Sequence, residues 1–137
     1  MSKRYCNTAI LYAFLAMAGG VFYREFTKWN GFAGRTALAA VHTHYFLLGT
    51  VFFLLLMLLE KSFAFSGPRT GRVLAVYQAG LNLTVVMQLV RGVVQVLGPA
   101  LSRGADAAIS GIAGIGHILL GVSLVLVLFQ IRAKAQD

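Results

Sequence analysis

The segment AAVHTHYFLLGTVFFLLLMLLEK, residues 39–61, is an almost unbroken apolar run that carries two histidines near its start. About 20 apolar residues in a helix cross the hydrocarbon core of a bilayer, so this run predicts a membrane-spanning helix. His42 and His44 are separated by a single residue. Because a helix turns by about 100° per residue, their side chains lie about 200° apart and point to nearly opposite sides. Each imidazole therefore needs a different neighbour.

The composition of the whole chain is that of a membrane protein. Of its 137 residues, 58% are hydrophobic and only 12% are charged, whereas soluble domains carry about 25% charged residues. The mean hydropathy is +0.78. The net charge is +8, but the basic residues flank the apolar runs and do not form one stripe with interleaved aromatics. This placement favours the lipid bilayer, and no nucleic acid, as the partner.

Four apolar segments predict an all-α membrane protein with four transmembrane helices. The expected helices cover residues 5–23, 36–59, 72–97 and 105–131. The connections are short and contain turn residues, as at Gly67-Pro68 and Gly98-Pro99. Short connections make consecutive helices antiparallel neighbours. We therefore expect residues 1–137 to form a single domain, folded as an antiparallel up-down bundle.

The distribution of basic residues predicts that both termini are cytoplasmic. Loops on the cytoplasmic side of membrane proteins carry more Lys and Arg than loops on the outer side. With the N-terminus inside, the cytoplasmic residues are Lys3, Arg4, Lys61, Arg69, Arg72, Arg132 and Lys134, and the outer ones are Arg24, Lys28, Arg35 and Arg103. In this orientation the three histidines and Arg91, which lies within the third segment, share the outer leaflet.

Ionisable groups inside a membrane are costly and usually face the interior of a bundle. Imidazole is a common metal ligand and an axial ligand of haem iron. Three histidines at similar depth therefore indicate a metal or haem site. The alternative is that each histidine only forms a hydrogen bond across a helix interface.

The stretch HTHYFLLGTVFF, residues 42–53, resembles the tenth helix of subunit I of the haem–copper oxygen reductases. That family's pattern is H-x-H-Y, then apolar residues, a glycine, and further apolar and aromatic residues. The matching positions here are His42, His44, Tyr45, Gly49 and Phe52. The whole chain also resembles an uncharacterised four-helix bacterial membrane family that is grouped with this superfamily. The resemblance implies a protein of the bacterial cytoplasmic membrane.

In the oxidases the two histidines of this motif ligate two different haems. The resemblance therefore implies bis-histidine ligation of haem b. It favours electron transfer over oxygen reduction, because this sequence lacks the H-x-x-x-Y motif and the adjacent His-His pair that supply the copper ligands. Whether the chain is an enzyme stays open on this evidence, with the missing copper ligands weighing against it. Covalent c-type attachment is excluded, since there is no C-x-x-C-H motif.

The oxidase subunit has twelve helices in three arcs of four, and this chain supplies four. We therefore hypothesise a homotrimer that closes into a twelve-helix ring, which is a permitted symmetry. His42 of one chain and His44 of the neighbouring chain would then ligate one haem between them. Quinol or a periplasmic protein is the expected redox partner.

The remaining candidates lie on the third and fourth segments and before the second. His117, within the glycine-rich GIAGIGHILLG of residues 111–121, is an alternative axial ligand opposite His42 or His44. It could instead form a structural hydrogen bond with a third-segment amide, Asn82 or Gln88. Arg91 is expected either to pair with haem propionates or to extend to the interface. The weaker propionate candidate is Arg35.

Two other functions remain open from the sequence. One is a sensor or carrier of haem or copper, with copper the weaker cofactor, that uses the same histidines with an open coordination position. The other is a small transporter or structural membrane subunit without a cofactor, in which the histidines and the amides of the third segment line a polar path. Carbon monoxide binding would favour the first, and a colourless preparation without metal would favour the second.

Overall fold

The computed structural model describes residues 1–135, and these residues form an all-helical chain without strands. The four helices are α1 (Ser2–Trp29), α2 (Leu38–Phe63), α3 (Thr70–Leu97) and α4 (Arg103–Lys134). All four are long and apolar enough to cross a membrane. The prediction of four apolar spanning helices is confirmed.

Helix α2 starts at Leu38, although its apolar segment begins at residue 36. The first N–H groups of a helix have no partner within the helix. Here the Leu38 N–H donates to Thr36 Oγ1 over 3.3 Å, and the Ala37 N–H donates to Gln95 Oε1 over 2.7 Å. The Thr36 hydroxyl itself donates to the Gly92 carbonyl over 3.0 Å. These side chains satisfy the start of α2 and attach it to α3.

Each helix packs against the next one in the chain, and consecutive helices are antiparallel. The Tyr5 hydroxyl, at the start of α1, lies 2.6 Å from Ser66 Oγ, just beyond the end of α2. Thr70, at the start of α3, donates to Gln130 near the end of α4 over 2.6 Å. The start of α1, the 64–69 loop and the last turns of α4 therefore share one end of the bundle, which we call the terminal end. The histidines lie towards the opposite end.

Helices α3 and α4 approach each other closely because glycines face each other. A Cβ atom on Gly80 would lie 2.6 Å from the Leu120 backbone nitrogen, and one on Gly116 would lie 2.9 Å from that of Thr84. Small residues at such positions let two backbones pack directly, which is a common basis of helix association in membranes. This contact fixes the height and rotation of α4 against α3.

The interior and the outer surface differ in the way expected for a protein in lipid. The interior holds an aromatic cluster in which Tyr5, Tyr12 and Tyr77 are each at most 1% exposed. Large apolar side chains point outward along the helices, such as Phe14 at 64% and Ile118 at 66% exposure. Water would make such a surface unfavourable, whereas a bilayer solvates it.

Helix α2 changes its winding directly after His44. Residues Tyr45–Val51 form π-helical turns, so that the Phe52 N–H bonds the Leu47 carbonyl five residues back. Gly49 lies in this segment because a Cβ there would stand 2.5 Å from the Tyr12 ring. The Tyr77 hydroxyl donates to the Leu48 carbonyl over 2.8 Å. The apolar pattern gave no indication of this segment.

The Gly80 contact generates a stability prediction. Gly80→Ala should lower the free energy of unfolding by about 1–3 kcal/mol, the usual cost of overpacking, because the new methyl group would meet backbone atoms. Gly111→Ala is the matched control, since a Cβ there meets nothing within 4 Å. Thermal unfolding of purified protein in detergent would measure both variants. Equal midpoints for the two would contradict the close approach of α3 and α4.

Candidate functional site

Helix α2 presents its two histidines to different neighbours, as the helical rotation predicts. His42 lies against α1, where a Cβ on Gly20 would be 3.7 Å from the His42 Cβ atom. The Nδ1 atom of His42 is buried and has no hydrogen-bond partner among the described residues. His44 turns the other way, towards α3 and α4, where it meets Gln88 and His117.

The proton position on His44 follows from its backbone contact. Its Nδ1 atom lies 2.9 Å from the Ala40 carbonyl oxygen. Since a carbonyl only accepts, Nδ1 carries the proton, and Nε2 of the neutral ring carries a lone pair. The Gln88 side-chain nitrogen lies 3.1 Å from this Nε2 and 3.4 Å from Nδ1, and because Nδ1 carries the proton, its N–H can donate only to Nε2. His44 is therefore held in the tautomer whose Nε2 can bind a metal.

His117 repeats the same arrangement on α4. Its Nδ1 atom lies 2.8 Å from the Ala113 carbonyl oxygen, so Nδ1 again donates and Nε2 keeps its lone pair. Histidines that ligate metals usually donate their second ring N–H to a carbonyl or carboxylate in this way. The side chain of His117 is exposed. Its ligand atom is therefore accessible.

The rings of His44 on α2 and His117 on α4 form an edge-to-face pair. Their centroids are 6.3 Å apart and their planes are at 89°. Two imidazoles that bind one metal ion through Nε2, with bonds of about 2 Å, have centroids about 6 Å apart. The observed centroid separation is of this size. The structure pairs His44 with His117 within one chain and leaves His42 outside this pair.

One face of α3 runs past His44 and carries Thr84, Gln88 and Arg91 on successive turns. The hydroxyl oxygen of Thr84, which lies in the contact with Gly116, and the amide oxygen of Gln88 are buried without hydrogen-bond partners within residues 1–135. Arg91 forms an ion pair with Asp106, and its Nη2 donates to Ser110 Oγ over 2.7 Å. This face of α3 therefore carries an unsatisfied amide oxygen beside His44 and a cation one turn further on.

Some predicted contacts are wrong. The alternative hydrogen bond from His117 to Asn82 or Gln88 is not formed, because His117 bonds its own helix and Gln88 bonds His44. Asn82 instead accepts from the Tyr45 hydroxyl over 3.1 Å and donates to the Tyr12 hydroxyl over 3.2 Å. This network lies in the interior and ties α1, α2 and α3 together.

The two arginines stand in different settings. Arg91 was expected to bind an anion or to extend to the interface, and the sequence did not identify Asp106 as its partner. Their spacing across the Gly98-Pro99 turn could have signalled the pair, since the turn brings the end of α3 beside the start of α4. Arg35 is exposed and directly precedes Thr36 at the start of α2. Within residues 1–135 it forms no ion pair or side-chain hydrogen bond with the histidines or Arg91.

As metal ligands, His44 and His117 suit haem iron better than a bare metal ion. No group of three or more His, Cys, Asp or Glu side chains that could hold a metal occurs among the described residues. Zinc and copper sites in proteins usually take three or four protein ligands. Haem supplies the equatorial nitrogens itself and needs only axial ligands from the protein. Two opposed histidines are enough for haem and too few for a typical copper site.

The comparisons with known proteins place the chain in a family but do not assign an activity. One family model, described as a protein of unknown function (DUF2871), matches residues 2–134. This match does not connect the chain with the haem–copper oxidases, so the expected membership in that superfamily is not supported. No curated protein and no solved structure matches the chain. The function must therefore be argued from the site.

The contact between Gln88 and His44 can be tested without any cofactor. In protein labelled with nitrogen-15 at histidine, Gln88→Leu should shift the Nε2 resonance of His44, because a donor to that atom is lost. The Nε2 resonance of His117 should stay in place. Gln78→Leu is the matched control, since the Gln78 amide donates to the Leu74 carbonyl on its own helix. An unchanged His44 resonance in Gln88→Leu would refute the assigned contact.

Proposed function

We propose that this chain, which belongs to the DUF2871 family, binds haem b in the membrane and transfers electrons. His44 and His117 are the axial ligands in this proposal. The observation that carries it is the pair of imidazoles 6.3 Å apart at 89°, each with its Nδ1 proton on a backbone carbonyl. A haem b held by two histidines supplies a one-electron redox couple and leaves no open position for oxygen.

The chain's own residues prepare both ligands. The Ala40 and Ala113 carbonyls hold the Nδ1 protons of His44 and His117, which fixes the orientation of each ring. Such hydrogen bonds also raise the basicity of the ligating nitrogen. Because each carbonyl lies one helical turn before its histidine, the helix itself supplies the support. This preparation favours a ligand role over a simple packing role.

The face of α4 around His117 is uncovered. Gly114 and Gly121 flank His117 on the same face of α4, and an added Cβ on either would meet nothing within 4 Å. His117 itself is exposed, so a flat group could approach it from the lipid side. The Gln88 amide donates to His44 Nε2 and has to rotate away before that atom can bind iron. Gln88 thus satisfies the ligand atom when the cofactor is absent.

The arginines at this end are the candidates for the propionates. Arg91 stands one helical turn from Gln88 and is paired with Asp106, so a propionate would have to compete with that carboxylate. Arg35 is exposed beyond the start of α2 and carries no such pairing within the described chain. Arg91 is therefore a shared cation in this proposal, and Arg35 an additional one.

A homotrimer remains the second arrangement for the same function. The four helices pack in chain order, as one arc of a larger ring would, and the buried Nδ1 of His42 lacks a partner within residues 1–135. In a ring of three chains, His42 of one chain and His44 of the next would hold the haem. Both arrangements keep the termini on the cytoplasmic side and expect quinol or a periplasmic protein as the redox partner.

A sensor or carrier is favoured by one observation, the exposure of His117. An exposed axial ligand can dissociate more readily than a buried one and would then leave iron open to carbon monoxide.

The cofactor-free subunit is favoured by the Gln88–His44 hydrogen bond, which already satisfies His44. Spectra of the purified protein, with and without carbon monoxide, separate these functions from electron transfer.

The intrachain pair predicts a specific pattern among three variants. Purified wild-type protein supplied with haem should show a reduced spectrum of a low-spin b-type cytochrome. His44→Ala and His117→Ala should each lose it, because one axial ligand is removed. His42→Ala should keep it, and it serves as the matched control on the same helix.

The trimeric arrangement predicts the reverse for two of these variants, with loss of the low-spin spectrum in His42→Ala and retention of it in His117→Ala.

If His44 and His117 are the ligands, added imidazole should restore the low-spin spectrum of His117→Ala, because the position of the lost ligand is exposed. Circular dichroism would check that every variant remains helical. A wild-type protein that binds no haem would refute the proposed function in either arrangement.

A further inference from the structure

At the terminal end, a groove of about 820 Å³ lies between the start of α3 and the last turns of α4. Its floor is apolar, with Phe65 and Val73 on one side and Leu126 and Phe129 on the other. Leu126 is 46% exposed and Phe129 is 58% exposed. The groove thus opens outward, towards the lipid that surrounds the helices.

The charged residues at the rim of this groove are all basic. Arg69 and Lys134 line it. A smaller groove of about 330 Å³ shares Arg69, Val73 and Leu126 with it and adds Arg72. Neither Arg69 nor Arg72 forms an ion pair with a residue in the range 1–135. The two grooves therefore form one surface in which three basic residues stand above an apolar floor.

Hydrogen bonds hold the start of α3 against the last turns of α4 beneath the groove. Thr70 is fully buried, and its hydroxyl donates to Gln130 Oε1 over 2.6 Å while accepting from the Gly67 N–H over 2.9 Å. This links the 64–69 loop to α4. Arg69 on this loop and Lys134 on α4 thereby line the same groove.

We propose that this surface, the basic groove of Arg69, Arg72, Lys134, Val73, Leu126 and Phe129, binds an anionic phospholipid. The phosphate lies among the three basic side chains, and an acyl chain follows the apolar floor towards the bilayer centre. Basic pockets between transmembrane helices at the cytoplasmic side bind anionic lipid head groups in this way. The site lies at the terminal end and is independent of the proposed haem site.

A soluble anion and a neutral lipid match the groove less well. Free phosphate would use the basic residues but leave the exposed floor without a partner. A neutral lipid would cover the floor but would bring no net negative charge to the three basic residues. Only an amphiphile with an anionic head group satisfies both parts, and this is also the lipid class enriched on the side where basic residues accumulate.

Native mass spectrometry of the delipidated full-length protein tests this proposal. The probes are phosphatidylglycerol, phosphatidylcholine of the same chain length, and inorganic phosphate. Each basic residue near an anionic head group contributes about fivefold in affinity, so the triple variant R69Q/R72Q/K134Q should bind phosphatidylglycerol about a hundredfold more weakly. The matched control R24Q/K28Q/R103Q removes three basic residues from the opposite end and should bind as wild type does.

Phe129→Ala should also weaken phosphatidylglycerol binding, because it removes part of the floor and leaves all charges in place. Phosphatidylcholine should bind weakly to every form, and phosphate should not displace bound phosphatidylglycerol. Equal binding by the triple variant and the control would overturn the proposal. So would equal affinity for the two lipids, and displacement by phosphate would show that the groove holds a free anion.

Discussion

The close contact of α3 and α4 at Gly80 and Gly116 is the interaction on which the candidate site depends. With no side chain on either residue, the backbones meet directly, and the height of α4 is fixed against α3. His117 follows Gly116 in the chain and is thereby brought to the level of Gln88 on α3. Since α2 is attached to α3 through Thr36 and Gln95, His44 arrives at the same level from the other side.

The bilayer adds a second constraint. Backbone groups in hydrocarbon must be satisfied within the chain, so the spanning segments are helices, and a helix sends residues two apart to opposite sides. His42 and His44 therefore cannot serve one metal ion, and His44 takes its partner from another helix. The two ends of the bundle then differ in kind: the histidines and Arg91 stand at one, and the basic groove at the other.

The sequence predicts the fold well because the signals are local. Apolar length defines four helices, turn residues define their ends, and the helical angle separates His42 from His44. The identity of the partners depends on how α4 is rotated against α3, and no local pattern encodes that rotation. The sequence therefore kept three roles open for His117 and named Asn82 or Gln88 as its partner in one of them, whereas the structure places Gln88 on His44.

Contacts between helices also explain the other differences between the predicted and the observed structure. The π-helical turns at Tyr45–Val51 arise where the Tyr12 ring meets Gly49, which is a contact between helices that the apolar pattern does not record. The pairing of Arg91 with Asp106 likewise depends on the turn between α3 and α4. The resemblance of the H-x-H-Y motif to an oxidase helix singled out His42 and His44 but not the contact of His44 with His117, since the likeness covers only part of one helix.

Electron paramagnetic resonance of the ferric, haem-loaded protein tests the central claim most directly. Axial imidazoles whose planes are nearly perpendicular, as in the pair at 89°, produce a strongly anisotropic low-spin signal. Wild-type protein should give this signal at one haem per chain. A high-spin signal in wild-type protein, or an unchanged low-spin signal in His117→Ala, would contradict the claim that His44 and His117 hold the same iron.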